Sequence, residues 1–176
     1  MKVRPHRRSD RGFELNAVVP YIMTMEFLPL LRAGEVPLVL QTSSSAERPK
    51  SFKKLTGPYG RSKLALTLWT AAVASELLPQ GIHLLSVDPG PTKTPMSASS
   101  GMPAWLLPIR HLFFRSPERA TNKMLEIAAQ PSVFPSGSFV LNGKLKDMPF
   151  ANCAEAVLSI VRQAYVRFRE MAVPTR

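Results

Sequence analysis

The sequence predicts an α/β domain built on a parallel sheet. Two features carry that reading. Helical stretches alternate with short apolar runs in the order helix, strand, helix, strand, helix, strand, helix, the pattern of strands joined by helical crossovers. Residues 36–42 read as a short buried strand rich in Val and Leu, as strands covered by helices on both faces tend to be, and residues 82–87 read as a second buried strand.

The elements follow in order. Residues 14–33 read as the first helix, closed by Leu28, Leu30 and Leu31, stopped at Ala33-Gly34, and made irregular by Pro20 and Pro29. Strand 36–42 leads into Ser43, Ser44 and Ser45, and residues 46–57 are polar and basic, as in a loop. Residues 58–78 are the longest helical stretch, with Leu64, Leu68, Ala71, Ala72 and Ser75 on one side at helical spacing. Pro79-Gln80-Gly81 ends it, and strand 82–87 then runs into Asp88-Pro89-Gly90-Pro91. Ser116-Pro117-Glu118 starts a helix that reaches about Gln130: a capping hydroxyl, a proline in the first turn, then an acid at the positive dipole end. Residues 137–142 form a last short strand. Residues 152–171 form a terminal helix with Asn152 and Glu155 at capping-box spacing.

Composition narrows the class. A chain of 176 residues with 45% hydrophobic residues is large and apolar enough for one domain with a core. No apolar run approaches the ~20 residues that span a bilayer. The single cysteine, Cys153, excludes an internal disulfide framework and fits a reducing, cytoplasmic setting. The net charge of +11 is concentrated at the ends, with +4 in residues 1–11 and +3 in residues 162–176. No recognition motif or aromatic platform accompanies it, which favours a solvated fringe over nucleic-acid binding. His6, His83 and His111 have no metal-ligand spacing with Cys153 or the acids, so no metal is expected.

One constellation carries chemistry. Tyr59 and Lys63 lie four residues apart at the start of the long helix, on one face. A phenol is a poor acid or base near neutrality, but a neighbouring ammonium stabilises the phenolate and lowers its pKa. Such a pair can donate a proton to a developing alkoxide or take one from an alcohol. A Tyr-x-x-x-Lys spacing alone is common on helix surfaces. Here Ser44 lies just past the end of one strand and Pro89-Gly90 just past the end of the next, and sites in open parallel sheets form at the carboxyl ends of strands. Ser44 is placed to hydrogen-bond a substrate oxygen as charge develops there.

These residues resemble the short-chain dehydrogenases/reductases. The resemblance runs from about Asn16 to Met96, with fainter echoes to Asn142, and rests on NAVVPYIMT from Asn16, LVLQTSSSA from Leu38, YGRSK from Tyr59 and SVDPGPTKTPM from Ser86. Later segments, SPERA from Ser116 and SGSFV from Ser136, are similar to the branch containing retinol dehydrogenases. The resemblance implies an NAD(P)-dependent oxidoreductase that interconverts an apolar alcohol and its carbonyl by hydride transfer. Tyr59 would be the general acid/base; Lys63 would lower its pKa and hold the nicotinamide ribose; Ser44 would polarise the carbonyl. Asn16 would help hold a relay water, with an ordinary capping or polar role as the alternative. Ser43 and Ser45 would be structural, with a one-residue slip open. Pro89, Gly90, Thr92 and Thr94 would line the cofactor, NADP or NAD.

The resemblance enters the family's pattern part-way along. The nine glycines nowhere form the G-x-G-x-x-G turn that receives a pyrophosphate, and the residue selecting NAD or NADP is missing with it. The expectation is therefore a partial Rossmann-type domain with a truncated N-terminus: a basic segment at 1–11, an incomplete catalytic domain at 12–150, and a C-terminal helix and tail at 151–176. Such a sheet would expose a strand edge, which invites a homo-oligomer or a covering partner. A non-catalytic interaction module is the alternative function, and a basic nucleic-acid-binding protein the remoter one. The apolar stretch 96–115, with Met96, Met102, Trp105, Phe113 and Phe114, reads as a substrate lid, or else as core or an interfacial membrane segment.

Overall fold

A computed structural model describes residues 11–44, 57–90, 92 and 115–172 of the chain. The first helical region is segmented. A short α1 (Arg11–Phe13) passes into a π-helical turn at Glu14–Val18, then α2 (Val19–Glu26), a break at Phe27, and α3 (Leu28–Ala33). The prolines explain the breaks. Pro20 and Pro29 each sit in the first turn of a new segment, where a missing N–H costs nothing. Pro20 also has no N–H to give to the carbonyl of Asn16, four residues back, and the ladder slips to the wider spacing, with the Val19 N–H donating to the Glu14 carbonyl.

The sheet has four strands in the order β1 (Leu38–Thr42), β2 (His83–Asp88), β3 (Phe139–Leu141) and β4 (Lys144–Lys146). Strands β1 and β2 are parallel, Leu38 opposite His83 through to Thr42 opposite Val87, and β3 runs parallel to β2 with Phe139 opposite Ser86. The expected strands are thus present and parallel. The sequence reading ended with the third strand, whereas β4 returns antiparallel to β3. Asn142 and Gly143, both at positive φ (53° and 74°), form the two-residue hairpin between them. Asn-Gly at this spacing is a strong hairpin signal, obscured because the strand it opens, Lys-Leu-Lys, is short and exposed.

The long helix α4 (Gly57–Leu77) crosses the face of the sheet formed by Val39, Leu84 and their neighbours. The sequence pattern assigned it one buried side. It is instead buried nearly all round: Leu64, Ala65, Leu66, Thr67, Leu68 and Trp69 are consecutive and buried, Ala71 is half-buried, and Ser75 is exposed. The reason is a second layer. α1, the π turn and α2 pack along one side of α4, and α6 (Ala154–Ala172) packs against it with Leu158 and Val161 fully buried. The capping box expected at Asn152 and Glu155 does not form; residues Ala151–Cys153 make a 3₁₀ turn that runs directly into α6. On the opposite face α5 (Pro117–Ala129) covers Leu85, Val87 and Val140 with Ile127, and its capping Ser116 accepts from the Arg119 N–H at 3.4 Å, as expected.

Trp69 is the centre of the helical layer. It is fully buried, its indole N–H donates to the Ala17 carbonyl at 3.1 Å, and Tyr21 stands edge-on to it at 5.3 Å. Tyr165 of α6 then packs edge-on to Tyr21 at 6.0 Å. Its hydroxyl donates to Glu26 at 2.7 Å, Arg169 pairs with the same carboxylate at 3.1 Å, and Arg162 pairs with Glu76. The Tyr165 hydrogen bond, helped by Arg169, holds the Glu26 carboxyl below its ordinary value, and Glu26 in turn raises the Tyr165 phenol. These contacts fasten α6 across α2 and α4, so residues 151–172 share one core with the rest of the described chain.

Replacing Trp69 by Ala removes a fully buried ring and leaves the Ala17 carbonyl without its donor. Unfolding in urea should show a loss of about 3–5 kcal/mol, and Trp69→Phe, which keeps most of the volume, should lose clearly less.

Candidate functional site

The site assembles at the carboxyl end of the parallel strands. β1 ends at Thr42, and the next two residues divide the work. The Ser43 N–H donates to the Val87 carbonyl at 2.8 Å, and its buried hydroxyl lies 2.5 Å from the Thr67 hydroxyl. Thr67 also donates to the Lys63 carbonyl at 3.2 Å. Ser43 is therefore locked inward against α4, whereas Ser44 is only half-buried beyond the strand end. That geometry separates the two hydroxyls between which the sequence left a one-residue slip open; Ser45 lies outside the described residues.

The start of α4 meets the end of β1 through Lys63. Tyr59 is exposed and Lys63 half-buried one turn further on. The Lys63 ammonium donates to the Thr42 carbonyl at 2.9 Å. This bond ties the Tyr-x-x-x-Lys turn to the strand end that carries Ser44. From below, the buried Ser62 hydroxyl donates to the Tyr59 carbonyl at 2.8 Å and accepts from the Asn16 amide at 3.1 Å. Asn16 sits in the middle of the π turn rather than at a helix cap, and its side chain reaches α4 through Ser62. π turns of this kind recur at functional positions.

The third component follows β2. Asp88 is buried, and its carboxylate accepts the Gly90 N–H at 2.7 Å, closing a tight turn over Pro89. Gly90 has φ 90°, which favours glycine. The Thr92 hydroxyl donates to the Gly90 carbonyl at 3.0 Å, and Thr92 bridges to Arg115. Thr94, and most of the stretch 96–115, lie outside the described residues. The structure thus brings Ser44, Tyr59, Lys63, Asn16, Pro89, Gly90 and Thr92 to one end of the sheet and of α4. Sequence reasoning passed over Ser62, Thr67 and Asp88. Only Asp88, in Asp-Pro-Gly, carried a turn signal that could have flagged it; Ser62 and Thr67 are indistinguishable from ordinary helix residues until their neighbours are known.

The family model for short chain dehydrogenase matches residues 3–103, more than half the chain and the stretch that contains Asn16, Ser44, Tyr59, Lys63 and the Gly90 turn. The chain belongs to the short chain dehydrogenase family. Among curated relatives it is 27% identical to Dehydrogenase/reductase SDR family member 13 of Bos taurus over 152 residues, covering 77% of this chain and 40% of that protein. Among solved structures it resembles the NADPH-bound carbonyl reductase from chicken fatty liver with TM-score 0.61 at 19% identity, covering 83% of this chain and 60% of that one. A short-chain dehydrogenase/reductase of unknown function from Caenorhabditis elegans, solved with cofactor, matches with TM-score 0.59 at 26% identity, covering 74% of this chain and 53% of that one. This short chain dehydrogenase therefore spans less than half the length of that curated relative and up to 60% of these solved ones. The shared part is the Rossmann-type half-sheet with its flanking helices. Among the described residues no helix is long and apolar enough to cross a membrane.

Thr67→Val removes the hydroxyl that meets Ser43 in the core and should cost about 1–3 kcal/mol. In chemical denaturation the double variant Ser43→Ala/Thr67→Val should recover part of that loss. Strictly additive losses would mean that the pair is not coupled.

Proposed function

We propose that this chain supplies the nicotinamide side and the proton-transfer residues of an NAD(P)-dependent oxidoreductase that interconverts an apolar alcohol and its carbonyl. The hydrogen bond from Lys63 to the Thr42 carbonyl carries the reading, because it joins the helix that bears Tyr59 and Lys63 to the strand end that leads into Ser44. The residues present fit a nicotinamide. The Asp88 carboxylate pins the Pro89-Gly90 turn at the strand end, and the Thr92 hydroxyl sits beside it on the Gly90 carbonyl. No Gly-rich cradle for the pyrophosphate occurs in these 176 residues. A nicotinamide bound here supplies or accepts the hydride.

The chain's own groups do the rest. In the reducing direction Ser44 donates a hydrogen bond to the substrate oxygen, and Tyr59 gives its phenolic proton to that oxygen as the alkoxide forms. The Lys63 ammonium stabilises the phenolate left behind and holds the ribose hydroxyls. Asn16, anchored through Ser62, helps hold the water that returns a proton by way of Lys63. In the oxidising direction Tyr59, as phenolate, takes the hydroxyl proton. The apolar composition of residues 96–115 supports an apolar substrate, and either NADPH or NADH is compatible with the residues available.

Cofactor fluorescence during titration with NADPH and NADH, followed by turnover of apolar ketones and aldehydes, tests this reading. Tyr59→Phe should lower turnover by about 10²–10⁴-fold while cofactor affinity changes little. Activity that survives the substitution would remove Tyr59 from the mechanism.

A second reading, an interaction module or homo-oligomer, is favoured by the unlike edges of the sheet. β4 is short and carries Lys144 and Lys146, residues that discourage strand addition. β1 has no charged residue and, among the described residues, pairs with β2 alone. Sedimentation should then show a species larger than the monomer; a monomer at every concentration would count against this second reading.

A further inference from the structure

We infer that Asn142 is a positioning residue for the Pro89-Gly90 turn, and through that turn for the nicotinamide end of the site; the second half of the inference rests on the function proposed above. Asn142 begins the β3–β4 hairpin, in the left-handed region at φ 53°. Turn chemistry accounts for Asn there, but it accounts equally for Gly or Asp, and it says nothing of the side chain. The side chain has a specific place. A Cβ built on Gly90 would lie 2.4 Å from Asn142 Oδ1, 3.3 Å from Cγ and 3.5 Å from Nδ2, so the three nearest atoms all belong to this one amide. The Asn142 N–H donates to the Asp88 carbonyl at 2.9 Å, while the Asp88 carboxylate takes the Gly90 N–H at 2.7 Å. The turn is thus gripped by the Asp88 carboxylate and walled by the Asn142 amide.

The Oδ1 of Asn142 is buried and, among the described residues, accepts no hydrogen bond. An orphaned buried acceptor is costly, and a Gly-Gly hairpin would avoid the cost without losing the turn. What the amide adds is a fixed wall against the bare face of Gly90. It leaves glycine as the residue that fits at 90 and holds the backbone of the turn at one height above the sheet. The Asp88 carboxylate and the Thr92 hydroxyl hold the backbone of the turn, and the amide adds contact on the side where Gly90 has no side chain of its own.

Asn142→Gly keeps the left-handed hairpin and removes only the amide. Two readouts decide the matter. The first is backbone amide exchange in the chain without cofactor. The Gly90 N–H should exchange about tenfold faster in the variant, while Val140 and Leu141 of β3 keep their protection. The second is fluorescence titration with reduced nicotinamide mononucleotide, which needs only the nicotinamide end of the site; its affinity should fall about tenfold. A purely structural role for Asn142 would lower the melting temperature and leave both readouts of the folded protein unmoved. Unchanged Gly90 exchange overturns the inference, as does unchanged affinity where the parent chain binds. If the parent chain binds no nicotinamide at all, the proposed function falls, and Gly90 exchange alone then decides whether Asn142 fixes the turn.

Discussion

The junction between the end of β1 and the first turns of α4 is the constraint on which the site depends. Two contacts make it: the buried Ser43–Thr67 hydroxyl pair and the Lys63 ammonium on the Thr42 carbonyl. Both join a strand end to a helix that is itself held rigidly. α4 is packed on the sheet below and on α1, α2 and α6 around it, with Trp69 tied to the backbone of Ala17. A helix buried this completely has little freedom to slide or rotate, because close-packed interiors resist small displacements. The position of Tyr59 relative to Ser44 is therefore a property of the core rather than of the local loop.

The same core explains the division of labour among neighbouring polar residues. Ser43 and Ser44 are adjacent in sequence just past the end of β1, yet Ser43 is buried and Ser44 only half-buried. The buried Ser43 hydroxyl must find a partner, and finds Thr67. Ser62 and Lys63 divide in the same way at the start of α4. Ser62 turns into the core to join Asn16 to the Tyr59 carbonyl, while Lys63 turns toward the strand end.

The two turns that follow β2 and β3 extend this pattern. Neither is a free loop. The Asp88–Gly90 turn is closed by its own carboxylate, and the hairpin at Asn142-Gly143 leans on it from the next strand. Because β2 and β3 are parallel, their ends lie side by side, and residues more than fifty positions apart meet at the site.

Much of this was legible in the sequence. Alternating helices and apolar strands determined the α/β class, and the spacing of Tyr59, Lys63, Ser44 and Gly90 around strand ends marked the candidate site, because both rest on local periodicity and short-range turn chemistry. The segmentation of the first helix was written in Pro20 and Pro29. Three things were decided only by tertiary structure. The burial of α4 on nearly all sides depends on α6, far along the chain, and no pattern within α4 announces it. The fourth strand was signalled by Asn-Gly, but Lys-Leu-Lys has no buried face to mark it as a strand; its pairing with β3 makes it one. The partners of Ser43, Ser62 and Asn142 follow from which elements pack together, since a polar side chain carries no record of its distant neighbour in the residues beside it.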